Sequence, residues 1–253
     1  MRLHGEHDGD GAGSGRLVLL HGFTQTGRCW GPVGEVLARD HGVVRLDAPG
    51  HGGSSAVRAD LTETGRLAVE AGGPAVYLGY SMGARMALHA ALDHGEAVQG
   101  LVLVGGTAGI EDDDERASRR QRDLLLARRL CDDGVDAFLS EWLAQPLFAG
   151  LPPWAHFADE RRRNTAEGLA SSLELAGTGS QVPRWKDLER LPMPVLVMAG
   201  TEDQRYAELA QRIAAGIGTN AAVALVPGAG HAAHLEQPDA FLDQLLPWLL
   251  RLP

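Results

Sequence analysis

The residues most able to do chemistry in this chain are a serine, an acid and a histidine, spread far apart but each in a telling local setting. Ser81 stands in Gly79-Tyr80-Ser81-Met82-Gly83, a G-x-S-x-G directly after the apolar run AVYL and before the helical pattern MGARMALHAAL. A strand–turn–helix of this kind aims a hydroxyl into a cleft, and glycines on both sides let the cramped backbone bend. A serine hydroxyl is a poor nucleophile or base until a neighbour takes its proton. The order Ser, then acid, then His supplies that neighbour. Asp203 follows the strand-like PVLVMA, and His231 follows AVALV, so both fall at carboxyl ends of strands, where open α/β sheets form their ligand sites. Glu202 competes with Asp203 for the acid role, and His234 competes with His231 for the base. The pair His231-x-x-His234 has no third ligand in a metal-binding pattern, so no metal is expected.

Two backbone amides complete this picture. His21-Gly22-Phe23 follows the first core strand, and the N–H groups of Phe23 and Met82 are the expected oxyanion hole. His21, and the loop Asp47-Ala48-Pro49-Gly50-His51-Gly52, read as structural loop holders.

Positioning these residues calls for a parallel sheet. Strand-like runs at 16–20, 43–46, 75–78, 101–104, 194–199 and 222–226 alternate with amphipathic stretches around 31–39, 60–71, 82–94, 205–216 and 238–251. That alternation is the signature of βαβ units. The strands are apolar enough to be covered on both faces. The first fifteen residues read as an edge hairpin, turning through the glycine-rich GDGAGSG. The alternation stops from 106 to 189, where LLLARRL, VDAFLSEWL and GLASSLELA read as helices. The expected organisation is a core of 1–105 and 190–253 carrying an inserted helical cap at 106–189.

Composition narrows the partners. A chain of 253 residues fits one substantial α/β domain, and a net charge of −10 disfavours nucleic acid or an anionic membrane as partner. No apolar stretch is long enough to span a bilayer, and the N-terminus has no signal-peptide architecture. The two cysteines, Cys29 and Cys131, suit a reducing cytoplasm. Oligomeric state is left open.

Taken together, HGF, D-x-P-G-H-G, G-x-S-x-G and the late Gly230-His231 resemble the α/β-hydrolase family over the whole chain. This implies an α/β-hydrolase fold, a mostly parallel sheet flanked by helices, but leaves the reaction open. A narrower resemblance is carried by the helix start through Arg85, by Trp142-Leu143-Ala144-Gln145-Pro146-Leu147-Phe148, by Gly177-Thr178-Gly179-Ser180-Gln181 with Trp185, and by Gly230-His231-Ala232-Ala233-His234-Leu235-Glu236-Gln237-Pro238. With HGFTQTG, these segments look like the 2-succinyl-6-hydroxy-2,4-cyclohexadiene-1-carboxylate (SHCHC) synthases of menaquinone biosynthesis. Membership would imply a carbon–oxygen lyase that removes pyruvate from a polycarboxylated cyclohexene. Its triad would act in proton abstraction, with no metal or organic cofactor.

The small-molecule carboxylate substrate implied by that resemblance needs cations. Arg85 lies four residues after Ser81, on the same helix face one turn deeper, where a guanidinium could clamp a carboxylate. A structural ion pair under the turn is the competing reading. Arg116 or Arg119, and Arg161 in the run ending at Asn164, are further clamp candidates, although EDDDE at 111–115 leaves the insert net negative. Tyr80 and Trp142 complete the expected substrate-binding set. The competing functions are a serine hydrolase of esters, lactones or carbon–carbon bonds, and a non-catalytic ligand receptor.

Overall fold

The computed structural model describes residues 1–9 and 15–252. Seven strands form one sheet in the order β1-β3-β2-β4-β5-β6-β7. They are β1 (Gly5–Asp8), β2 (Arg16–Leu20), β3 (Gly42–Leu46), β4 (Ala75–Tyr80), β5 (Val98–Val104), β6 (Val195–Gly200) and β7 (Ala221–Val226). All neighbouring pairs are parallel except β1–β3.

Side chains alternate across this sheet with the period of two that a pleated strand imposes. Val18, Leu20, Leu101, Leu103, Val195 and Val197 enter one core layer; Leu17, Leu19, Val102, Val104, Leu196 and Met198 enter the other. Helix α1 (Gly31–Leu37) covers the second layer. Helices α2 (Leu61–Gly72) and α3 (Met82–Asp93) cover the first. Both faces are therefore apolar, which is why the strands read as continuous hydrophobic runs.

Between β5 and β6 the chain leaves the sheet and forms no strand among its described residues. This insert contains α4 (Asp113–Leu143), α5 (Ala158–Arg161) and α6 (Ala166–Ala176). Asp112 caps α4 by accepting the Glu115 amide at 2.8 Å, and Thr165 caps α6 through the Gly168 amide at 3.1 Å. Gly134, at φ 80°, breaks α4 into two rods. The bend lets Ala127, Leu130 and Phe138 pack on Leu169, Ala170 and Leu173 of α6 as a small separate core. After the insert, α7 (Gln204–Ile217) joins the first layer, while α8 (Ala233–Glu236) and α9 (Pro238–Leu249) close the second. No helix of the described residues is long and apolar enough to cross a membrane, and Cys29 and Cys131 are both free thiols.

Two expectations are corrected. The N-terminal segment is an edge strand but not half of a hairpin. β1 pairs antiparallel with β3, Gly5 opposite Leu46, because β2 is already flanked by β3 and β4. Most of the expected GDGAGSG turn, residues 10–14, lies outside the described residues. Nor is every strand covered on both faces. β7 ends the sheet, and Val223 is left 38% exposed there.

Candidate active site

The β4–α3 turn carries Ser81 at φ 53°, a left-handed conformation unusual for any residue but glycine. The neighbours explain how it is tolerated. A Cβ on Gly79 would collide with the Gly83 carbonyl, and one on Gly83 with the Leu20 carbonyl, so only glycine fits either place. The Ser81 amide is tied to the Val104 carbonyl at 2.8 Å. Its hydroxyl thus sits at the N-terminus of α3, where the helix dipole favours negative charge.

His231 reaches Ser81 Oγ with Nε2 at 3.0 Å and Asp203 Oδ2 with Nδ1 at 2.9 Å. The imidazole is buried and the Asp203 side chain is 10% exposed, so the three groups form one largely water-shielded chain. Asp203 Oδ1 also accepts the Tyr206 amide at 3.3 Å, which fixes the carboxylate at the start of α7. The competitors lie elsewhere. Glu202 is exposed, and only its backbone bonds inward, to the Ala229 carbonyl. His234 is enclosed by Trp30, Tyr80 and Phe241, and burial pushes it down to about 3, so it stays neutral. With Nδ1 carrying a proton toward Asp203, Nε2 of His231 is free to take one from Ser81.

Phe23 and Met82 line the same cavity as Ser81. Neither amide has a protein acceptor among the hydrogen bonds of the described residues. The Phe23 loop is held by buried neutral histidines. His21 accepts the Ala48 amide at 3.0 Å and meets the Gly22 carbonyl at 2.7 Å. His51 accepts the Thr24 amide at 3.3 Å and meets the Pro49 carbonyl at 3.0 Å. Burial lowers these rings to about 4 and about 3, respectively. The insert grips the loop as well: Asn164 donates to the Thr24 carbonyl at 2.7 Å, and Arg161 donates to the Thr24 hydroxyl. Thr24 itself is held at φ 68°.

The chain of Ser81, His231 and Asp203 opens into a cavity of about 500 Å³ between the sheet and the insert. Of the residues singled out from sequence, the cavity gathers Phe23, Tyr80, Ser81, Met82, Arg85, Trp142, Arg161, Asp203 and His231. Arg116 is not among them. It folds back onto the Ile110 and Glu111 carbonyls and onto Asp113, because it starts α4 beside an acidic run that outcompetes the more distant cavity. Arg119, one turn on, reaches the cavity instead, paired to buried Asp123 at 2.8 Å.

Two cavity arginines have no carboxylate partner among the described residues. Arg85 is buried and spends Nη1 on the Ala176 carbonyl at 2.6 Å, with Nε and Nη2 unused. The ion pair weighed for it as an alternative does not form. Burial, helped by nearby Arg119, lowers its guanidinium to about 10. Arg161 is 2% exposed, donates Nε to His156 O and Nη1 toward the Phe23 loop, and leaves Nη2 without a protein acceptor. Burial lowers it too. In all, five arginines and two aspartates line the cavity, a positive interior in a chain of net charge −10.

Aromatic rings shape the rest. Trp142 stacks on Phe138 at 5.6 Å and meets the Phe23 edge at 5.2 Å, with its indole N–H buried and unpartnered. Tyr80 lies 5.4 Å from the His231 ring, and burial raises its phenol so that it stays protonated. Sequence reasoning missed Arg122, Arg205 and Tyr206. Tyr206 packs on His231 at 4.4 Å. Its place three residues past Asp203, in the first turn of a helix that the acid caps, was the available signal.

Residues 17–244 match the model of the alpha/beta hydrolase family, and the chain belongs to that family. Within it, the chain is similar to 2-succinyl-6-hydroxy-2,4-cyclohexadiene-1-carboxylate synthases. The enzyme of Salmonella newport is 34% identical over 255 residues, spanning 97% of this chain and 98% of its own. Among solved structures, MenH from S. aureus superimposes with a TM-score of 0.88 at 26% identity, covering 98% of both chains. The enol-lactonase from Burkholderia xenovorans LB400 gives 0.79 at 22% identity, over 98% of this chain and 96% of its own, a likeness of fold alone.

Proposed function

We propose that this protein is a cofactor-free SHCHC synthase-type lyase, which eliminates pyruvate from a polycarboxylated cyclohexene. The observation that carries this reading is the pair Arg85 and Arg161, buried beside Ser81 without a carboxylate of their own. A desolvated guanidinium is expensive unless paired, so the missing anions are best supplied by substrate. An enzyme for neutral esters gains nothing from such a pair. Similarity to SHCHC synthases over nearly the full chain supports the same choice.

In this reading His231 draws the proton from Ser81, and Asp203 stabilises the imidazolium. The seryl oxygen then removes a ring proton of the substrate, whose carboxylates rest on Arg85, Arg161 and Arg119. The electron pair of the broken C–H bond forms the new ring double bond, and the C–O bond breaks with its own pair going to oxygen, so the pyruvyl group leaves as the enolate of pyruvate. The proton held on His231 then passes to the departing enolate, directly or relayed through Ser81, which gives pyruvate and restores the neutral imidazole. The amides of Phe23 and Met82, with the α3 N-terminus, face the negative charge that develops. Tyr80 and Trp142 pack against the ring, and residues 106–189 serve as a cap that keeps water out. The free thiols of Cys29 and Cys131 suit a cytoplasmic location.

A serine hydrolase is the second reading, favoured by the same Ser81–His231–Asp203 chain, which suits attack on a carbonyl equally well. The test is turnover of the pyruvate-bearing cyclohexene compared with an aryl ester. Pyruvate release with kcat/KM at least about a thousandfold above ester hydrolysis supports the lyase, on the scale of differential transition-state binding. Rapid ester cleavage without pyruvate release overturns it.

A further inference from the structure

Two of the cavity arginines differ in kind from the others. Arg85 and Arg161 are buried and anchored on backbone oxygens, and Arg119 is anchored on Asp123. Arg122, from α4 of the insert, and Arg205, from α7 of the core, also line the cavity, yet both are exposed. Among the described residues neither makes an ion pair or a side-chain hydrogen bond, unlike the exposed Arg66, Arg129 and Arg162, which are each paired with an acid.

Arg205 also stands on a boundary. A neighbouring hollow of about 450 Å³ shares only Thr107 and Arg205 with the triad cavity. Glu111, Asp112, Glu115 and Glu208 line that hollow, and its other arginine, Arg212, is bound to Glu111 at 2.5 Å and stacked on Trp185 at 3.8 Å. An incoming polyanion therefore meets an acidic hollow on one side of Arg205 and an arginine-rich cavity on the other.

We infer that Arg122 and Arg205 form an entry gate, specificity-determining cations that capture a polycarboxylate and pass it to the fixed arginines inside. This rests on the lyase reading for the identity of the substrate. Exposed guanidiniums act over about a Debye length, roughly 8–10 Å at ordinary ionic strength, so their work lies in encounter and is removed by salt. Because they are unpaired at rest, no ion pair has to break before a carboxylate is bound.

The experiment compares wild type, R122A/R205A and R122K/R205K, with kcat and KM for pyruvate release measured from low salt to about 0.5 M, where screening is short-ranged. The double alanine variant should lose about tenfold in kcat/KM at low salt, through KM, and its dependence on salt should flatten. The lysine pair, which keeps both charges, should retain the wild-type slope. A wild-type salt slope in R122A/R205A overturns the gate, as does a loss that sits in kcat and persists at high salt. Should wild type release no pyruvate, the lyase reading itself has failed, and the gate is then read from calorimetric binding of citrate as a tricarboxylate probe. Binding about tenfold weaker in R122A/R205A at low salt supports the gate, and an unchanged Kd overturns it.

Discussion

Arg85→Met should make the fold more stable while making the enzyme worse. Burial, with Arg119 nearby, lowers the guanidinium by more than two units below its ordinary value, to about 10. At about 1.4 kcal/mol per pKa unit, that depression corresponds to roughly 3 kcal/mol of strain in the folded, protonated state at neutral pH. The sign is fixed: a base whose folded pKa lies below its unfolded value destabilises the fold wherever both states are charged. Methionine fills similar volume without charge, and the lost Nη1 bond to Ala176 takes back about 1–2 kcal/mol as the carbonyl is left unsatisfied. The net expectation is a gain of about 1–2 kcal/mol, or roughly 2–8 °C in Tm for a chain of this size. On substrate, losing a charge-assisted contact of about 1.5–3 kcal/mol should reduce kcat/KM for pyruvate release by at least about tenfold. A small neutral ester, if cleaved at all, should lose far less. Differential scanning calorimetry and paired kinetics on the two substrates read both arms. A lower Tm together with equal losses on both substrates would mean that Arg85 is structural, and the reasoning would fail.

Replacing Ser81 or His231 by alanine should lower kcat by several orders of magnitude, Asp203→Asn somewhat less, and Glu202→Gln hardly at all; steady-state kinetics of the four variants decides whether the acid is Asp203. Four of the buried histidines predict acid lability. Burial holds His21 and His89 near about 4, and His51 and His234 near about 3, against 6.5 in the open chain. Below 6.5 the unfolded chain binds more protons, so stability falls with falling pH by about 1.4 kcal/mol per unit per histidine. Circular dichroism should therefore show unfolding within about one to two units below that point, given a total stability of only about 5–15 kcal/mol; a native signal retained at pH 4 would contradict it. Asn164→Ala removes the bond to the Thr24 carbonyl at 2.7 Å and to the Gly52 amide at 2.8 Å. It should lower kcat by about 10–100-fold through a displaced Phe23 amide, with less change in KM, because small misplacements of catalytic donors are costly.

The parts of the site that local chain geometry dictates were readable in the sequence. The G-x-S-x-G turn needs glycines at 79 and 83 whatever surrounds it, and the acid and base positions follow from strand ends. Strand boundaries were legible because both faces of the sheet are apolar. Pairing partners were not, since nothing in residues 1–8 says whether β1 lies beside β2 or β3. The arginines show the same divide. Arg85 was found by helical spacing from Ser81, a local rule. Arg116 was misplaced and Arg122 overlooked, because which face of α4 meets the core depends on the break at Gly134 and on packing against α6; Arg205 was overlooked because only the folded chain brings the first turn of α7 to the cavity. The net negative charge of the insert pointed to mostly solvated arginines, and most of them are exposed, with only Arg119, Arg122 and Arg161 reaching the cavity.

Simultaneous measurement of pyruvate and of the conjugated ring diene tests the central claim most directly. Elimination must produce the two together, at equal rates and in a 1:1 ratio, with both lost in Ser81→Ala. Pyruvate appearing without diene absorbance would mean hydrolytic release, and would contradict the account.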